Sequence, residues 1–171
     1  TPEAGASGHQ KAVGAAERQA GAGVELEVVA GLDGVVGAAP VVPLRVVVTS
    51  PRARLADVEV EWEAGFRIYR VELPAGGPAE LDVSVPTPVP GQAFSVDVVV
   101  RDDGDELARA TERVEPEPDV TLVGVGSSLV RAGAPERTAT VAGIQQARLV
   151  ELDDETLSRP GALASMSGVV L

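Results

Sequence analysis

VELEVVAGLDGVVGAAPVVPLRVVVT, residues 24–49, decides how the rest of this chain is read. Val24, Leu26 and Val28 alternate with Glu25 and Glu27, and Leu44, Val46 and Val48 alternate with Arg45 and Val47. A period of two sends one set of side chains to a buried face and the other outward, so the stretch predicts two β-strands. Between them runs a long connection containing glycine and proline.

Working outward, the same alternation predicts strands over 24–30, 43–49, 56–62, 66–73, 79–85, 93–100 and 106–114. Seven short strands at this spacing are the pattern of an antiparallel β-sandwich. Val58, Val60 and Trp62 oppose Asp57, Glu59 and Glu61, while Phe94, Val96, Val98 and Val100 oppose Ser95 and Asp97. Each such strand has one face in the core and one in water. Residues 66–73 change phase: Phe66 and Ile68 share one parity, Tyr69, Val71 and Leu73 the other. A β-bulge near Ile68–Tyr69 is the expected reconciliation.

The turns carry matching chemistry. Pro74-Ala75-Gly76-Gly77-Pro78 and Pro86-Thr87-Pro88-Val89-Pro90-Gly91 cannot continue a ladder, because proline has no N–H to donate. Asp102-Asp103-Gly104-Asp105 suits a tight hairpin. Residues 1–23 lack an apolar stripe and read as a linker or stalk, with at most a frayed helical turn. The alternating prolines of 116–120 read as a stiff boundary segment.

Beyond that boundary the pattern changes. Thr121 to Gly126 is a short continuous apolar run, as in strands covered on both faces. Residues 147–152 predict another strand, Asp153 or Asp154 caps a helical turn through Leu157, and Gly168 to Leu171 opens a further strand. The expected organisation is a linker over 1–23, a sandwich over 24–115, a Pro-rich link over 116–120 and a partial α/β segment over 121–171. The fold class is mainly β: an immunoglobulin-like antiparallel sandwich with a short, incomplete α/β C-terminal segment.

Composition bounds function. The 171 residues hold 44% hydrophobic side chains but only 2% aromatic ones, so the core is built from Val, Leu and Ala. Fourteen Lys and Arg against 26 Asp and Glu give a net charge of -12. A nucleic-acid partner is not expected, since a basic footprint on phosphate is absent. With no cysteine there is no disulfide, thiolate metal ligand or thiol nucleophile. No apolar run approaches the ~20 residues that span a bilayer.

Several residues could carry chemistry, and each has a plainer role. His9, the only histidine, lies in the expected linker with no nucleophile and acid beside it, which argues against Ser-His-Asp catalysis. Asp102, Asp103, Asp105 and Glu106 could offer oxygens to Ca²⁺ but lack the spacing of a twelve-residue calcium loop, so an acidic turn is expected. Asp153, Asp154 and Glu155 are read as helix-capping groups rather than an acid–base pair. Gly124, Gly126, Ser127 and Ser128 could cradle a phosphate where a helix begins, but no lysine completes the loop. Trp62, Phe66 and Tyr69 could form a sugar-stacking platform, yet parity puts Trp62 with the core.

The runs Ala30-Gly31-Leu32-Asp33-Gly34 and Pro43-Leu44-Arg45-Val46-Val47-Val48-Thr49 resemble the opening of the extracytoplasmic region of a group of uncharacterised membrane proteins of high-GC Gram-positive (actinobacterial-type) bacteria. Tyr69 to Gly76, a strand ending in Leu-Pro-Ala-Gly, and Val83-Ser84-Val85-Pro86 are similar to later strands of that sandwich. Leu122 to Val125, Val150 to Leu157 and Gly168 to Leu171 resemble the first strands of the glutamine-amidotransferase-like domain that follows in the group. The absence of cysteine leaves no residue for an amidotransferase nucleophile.

With the seven alternating runs, the Pro-rich boundary and the lack of a catalytic constellation, the resemblance leads to the expectation of a non-catalytic, extracytoplasmic, cell-envelope-associated structural or interaction module of a larger membrane-anchored protein. No catalytic, cofactor or metal residue is assigned. A protein partner or a second copy is expected, and membrane contact only through a segment outside this sequence. The alternative is a ligand-binding module, for instance for cell-wall glycan.

Overall fold

The computed structural model describes residues 17–20, 23–32, 34–117, 120–126, 138–139, 147–166 and 168–170. All seven expected strands form: β2 (Glu25–Ala30), β3 (Val41–Thr49), β4 (Arg54–Trp62), β5 (Gly65–Leu73), β6 (Pro78–Pro86), β7 (Phe94–Asp102) and β8 (Asp105–Val114). An additional strand, β1 (Glu17–Ala20), precedes them. They make two antiparallel sheets, one ordered β1-β8-β7-β4-β5 and the other β2-β3-β6. The chain is mainly β.

The inner faces meet as the alternation requires. Leu26, Val28, Val42, Leu44, Val46 and Val48 of one sheet enclose a core with Val58, Val60, Val96, Val98, Val100 and Ala110 of the other. Each fully buried valine stabilises the fold by roughly 1.5 kcal/mol relative to an exposed one. The aromatic rings stay at the margin: Trp62, Tyr69 and Phe94 are half-buried against this core.

Two sequence expectations are corrected. Residues 17–20, read as linker, pair with β8 from Glu17↔Thr111 to Ala20↔Ala108. Backbone pairing makes this strand without an apolar alternation that could have announced it. The bulge expected at Ile68–Tyr69 does not form either. β5 pairs with β4 in unbroken register from Arg54↔Leu73 to Trp62↔Gly65, and Phe66 and Ile68 simply face outward. The register shift lies instead between Val100 and Arg101 of β7, opposite β8. The neighbouring hairpin is tight, as expected: Asp102 pairs with Asp105, and Asp103 and Gly104 have φ of 48° and 92°, the positive values that such a two-residue turn demands.

Past the boundary, β9 (Thr121–Gly126), β11 (Ala147–Leu152) and β12 (Gly168–Val170) pair in parallel, with β9 in the middle, and β10 (Thr138–Ala139) joins β11 antiparallel. Helix α1 (Asp154–Ser158) follows β11. Among the described residues no helix is long and apolar enough to cross a membrane.

The long connection after β2 joins the two units. Its Leu32 and Val35 leave the sandwich and pack with Leu122, Val150 and Ala162 in a second apolar cluster, while Val36 stays in the first. Gly31, at φ 86°, makes the departure; a Cβ there would lie 2.2 Å from the Val35 carbonyl oxygen, so no side chain fits. Glu117 of the Pro-rich segment donates its N–H to the Val36 carbonyl at 2.8 Å. The boundary segment is thus pinned to the connection rather than free.

Candidate interaction surface

The two sheets treat their outward faces differently. On the β2-β3-β6 sheet, Arg45 and Asp82 are cross-strand neighbours. Arg45 donates to Asp82 at 3.3 Å and to Glu155 of α1 at 2.8 Å. The bond to Glu155 is the main reason the Arg45 guanidinium is held above its ordinary pKa, against the opposing effect of burial. Arg159, just past α1, lies 3.4 Å from the same Asp82 carboxylate and donates to the Gly31 carbonyl at 3.2 Å. Only 10% of its side chain is exposed. Gly161 sits flat on this face: a Cβ there would come within 2.8 Å of the Ser84 Cβ and 3.0 Å of the Val41 Cγ1. The C-terminal unit therefore covers the part of this face around Val41, Arg45, Asp82 and Ser84, while Glu25, Glu27 and Glu80 stay exposed.

On the other sheet the outward face is a lattice of opposite charges. Arg101 reaches Glu59 at 3.4 Å and Glu106 at 3.7 Å, and Arg109 makes two bonds to Glu106 at 3.2 and 2.9 Å. The Arg109 bonds hold the Glu106 carboxyl below its usual range. The Thr111 hydroxyl donates to Asp97, and Arg70 lies 3.7 Å from Asp57. Val99 is buried within this lattice, shielded by the long arms around it. Exposed pairs of this kind add little stability each. What they do is keep the face polar.

On β5 the lattice keeps Arg70, beside Asp57, and then gives way to apolar side chains. Across from Glu59 and Glu61 stand Ile68 and Phe66, 57% and 60% exposed. A phenyl ring and a sec-butyl group side by side in water, on the terminal strand of a sheet, are the strongest surface anomaly among the described residues. Arg67, between them in sequence, has the opposite parity. Its guanidinium lies 5.8 Å from the centroid of the Trp62 ring and donates to the Ser84 carbonyl of β6 at 3.4 Å.

The residues singled out from sequence fall as follows. Trp62 and Tyr69 turn inward and Phe66 outward, so the three rings do not form one platform. Asp102 accepts from Arg54 at 3.3 Å and Glu106 is taken by arginines, while Asp103 and Asp105 are exposed at the turn. Among the described residues no three His, Asp or Glu side chains converge in a way that could hold a metal ion. Asp153 caps α1 as expected. Its carboxylate accepts from the Thr156 N–H at 2.7 Å, the bond that also lowers its pKa. Gly124 lies inside β9, where Leu152 and Met166 press on it at 2.8 and 2.7 Å from a would-be Cβ; it serves packing. His9, Ser127 and Ser128 lie outside the described residues.

From sequence, Phe66 is a candidate sugar-stacking ring and Ile68 marks an expected bulge. The phase change in β5, read as a bulge, marks instead a strand with apolar residues on both faces. No local pattern announces Arg45, Asp82, Glu155 and Arg159 as a group, since Arg45 and Glu155 stand 110 positions apart. No protein-family model matches the sequence, and no curated protein shows significant similarity to it.

Proposed function

We propose that this chain is a non-catalytic, extracytoplasmic module of a larger membrane-anchored protein, serving structure and protein–protein interaction. The exposed Phe66–Ile68 pair on the terminal strand β5 carries this reading. Apolar side chains on a strand whose outer edge has no partner strand among the described residues are what a strand-adding partner would cover. The sandwich is of the immunoglobulin-like type in this reading. The division of β2, β3 and β6 into one sheet and β4, β5, β7 and β8 into the other supports that assignment. So does the order of units, antiparallel strands first and parallel ones after, which is the order in the membrane proteins the sequence resembles.

The glycan-binding alternative rests on one exposed ring, Phe66, and a single ring is a poor sugar platform. Acrylamide quenching of Trp62 fluorescence is expected to be weak, and strong quenching would favour that alternative.

The test of location is fractionation of the source cells with an antibody to this chain, before and after protease is added to intact cells. A membrane-bound species that the protease removes is expected. A species found in the cytosol and protected would overturn the reading, as would hydrolase or transferase turnover by the purified chain.

A further inference from the structure

We propose that the outer edge of β5, which no described strand pairs with, pairs with β5 of a second copy of this chain, antiparallel about a two-fold axis at Ile68. The inference rests on the interaction reading above and names the partner. Pairing would join two five-stranded sheets into one of ten strands.

Four observations carry it. First, among the described residues β5 is terminal in its sheet, and it is nine residues long and without proline, a residue that commonly blunts an edge; its outward charges, Arg70 and Glu72, are of opposite sign. The nearby terminal strand β6 is blunted in several ways. Pro78 and Pro86 bracket it, Arg67 occupies its Ser84 carbonyl, and Gly161 lies over Ser84.

Second, the backbone of β5 is poised. The hairpin closes on Trp62 and Gly65. Counting in twos from that closing pair, Gly65, Arg67, Tyr69 and Val71 turn their N–H and C=O toward β4, and Phe66, Ile68, Arg70 and Glu72 turn theirs outward.

Third, the side chains choose the register. Centred on Ile68, Ile68 meets the partner's Ile68, and Phe66 meets the partner's Arg70, which places a guanidinium against a phenyl ring twice over. A register centred on Tyr69 sets Phe66 against the partner's Glu72. One centred on Arg70 opposes two arginines.

Fourth, the rows beyond are complementary. Glu61 stands beside Phe66, so it lies on the row that brings in the partner's Arg70. Asp57, beside Arg70 of its own copy, completes the same row from the other side. Each copy carries a net charge of -12, so long-range repulsion opposes the encounter. Salt screens that repulsion while the apolar Ile68 contact persists, and self-association is expected to strengthen as ionic strength rises.

The register makes a test available because the chain has no cysteine of its own. Ile68→Cys, Arg70→Cys and Glu72→Cys are placed separately in the whole chain and oxidised mildly. Opposed residues in such a pair have Cα atoms about 5.5 Å apart, within disulfide reach. Covalent dimer from Ile68→Cys, at least about tenfold faster than from the other two, is expected. Sedimentation equilibrium of the unmodified chain should show a monomer–dimer equilibrium, and Ile68→Lys should weaken it by about a hundredfold with an unchanged far-ultraviolet circular dichroism spectrum.

Equal crosslinking at all three positions, fastest crosslinking through Arg70→Cys, or a monomer at every concentration and salt would each overturn the proposal. A monomer that is nonetheless membrane-bound and protease-accessible on cells would sink self-association alone and leave the interaction reading standing.

Discussion

The outward faces of the two sheets are built from the same residue classes and end in opposite states. On β3 and β6, Arg45 and Asp82 form a cross-strand pair that continues into Glu155 and Arg159 of the C-terminal unit. On β4, β7 and β8, Glu59, Arg101, Glu106 and Arg109 form pairs that close on one another within the sheet. Both begin as charged strand faces. The difference lies in where the second partner of each arginine comes from. Partners from elsewhere in the chain cover the face around Arg45 and Asp82; partners from the same sheet make a self-sufficient one, finished at its margin by Phe66 and Ile68. Charge on an outward face therefore does not say whether it will be exposed.

The comparison can be broken most severely at Gly31. Gly31→Val puts a β-branched side chain at a positive φ and against the Val35 carbonyl. A loss of about 3 kcal/mol or more is expected in urea unfolding, with both apolar clusters disturbed, because the connection feeds each of them. Arg159→Ala is more selective. It removes the donor to the Gly31 carbonyl and one neighbour of Asp82, at an expected cost of about 1–2 kcal/mol. Limited proteolysis should then cut within 147–166 sooner, while β7 and β8 stay resistant.

Asp153→Ala takes the cap from α1, the element that carries Glu155 to Arg45. A loss smaller than that of Arg159→Ala is expected, seen as faster amide exchange in α1 before any change in the sandwich. On the open face, Ile68→Lys should change the unfolding free energy of the dilute monomer by no more than about 0.5 kcal/mol, since in the monomer the side chain stands in water.

Glu112 serves as a control between the two faces. It sits on the inner side of β8 opposite Val96, and partial burial raises its pKa. The folded state thus holds this proton more tightly than the unfolded chain. Its contribution to stability is present below the ordinary glutamate range and is lost as pH rises through the raised folded value. Glu112→Gln should flatten that decline and gain stability at neutral pH, a small effect checked by unfolding at several pH values.

Much of this architecture is legible in the sequence. Seven strands follow from alternation because each has one wet face and one dry one, and the Asp153 cap follows from a side chain that accepts from free helical N–H groups. Three features escape for physical reasons. β1 has no alternation to read, since Glu17 to Ala20 are recruited by backbone pairing. The register shift after Val100 is hidden by Val98, Val99 and Val100 in a row, of which Val99 is buried on the outward side. β5 misleads because alternation assumes that apolar means inward. Phe66 and Ile68 break that assumption on a strand that needs no bulge. The link between units is half legible: Leu32, Val35 and Val36 are apolar residues in a glycine-rich connection, a sign that it packs, though not against what.

The most direct measurement of the difference between the two faces is amide hydrogen exchange at low and high protein concentration. The outward amides of Phe66, Ile68, Arg70 and Glu72 should exchange quickly when the chain is dilute and slow together as concentration rises, whereas those of β6 and α1 should not respond. Loss of the concentration effect in Ile68→Lys would complete the expected result. Exchange on β5 that is independent of concentration, or protection that grows on β6 instead, would contradict the account.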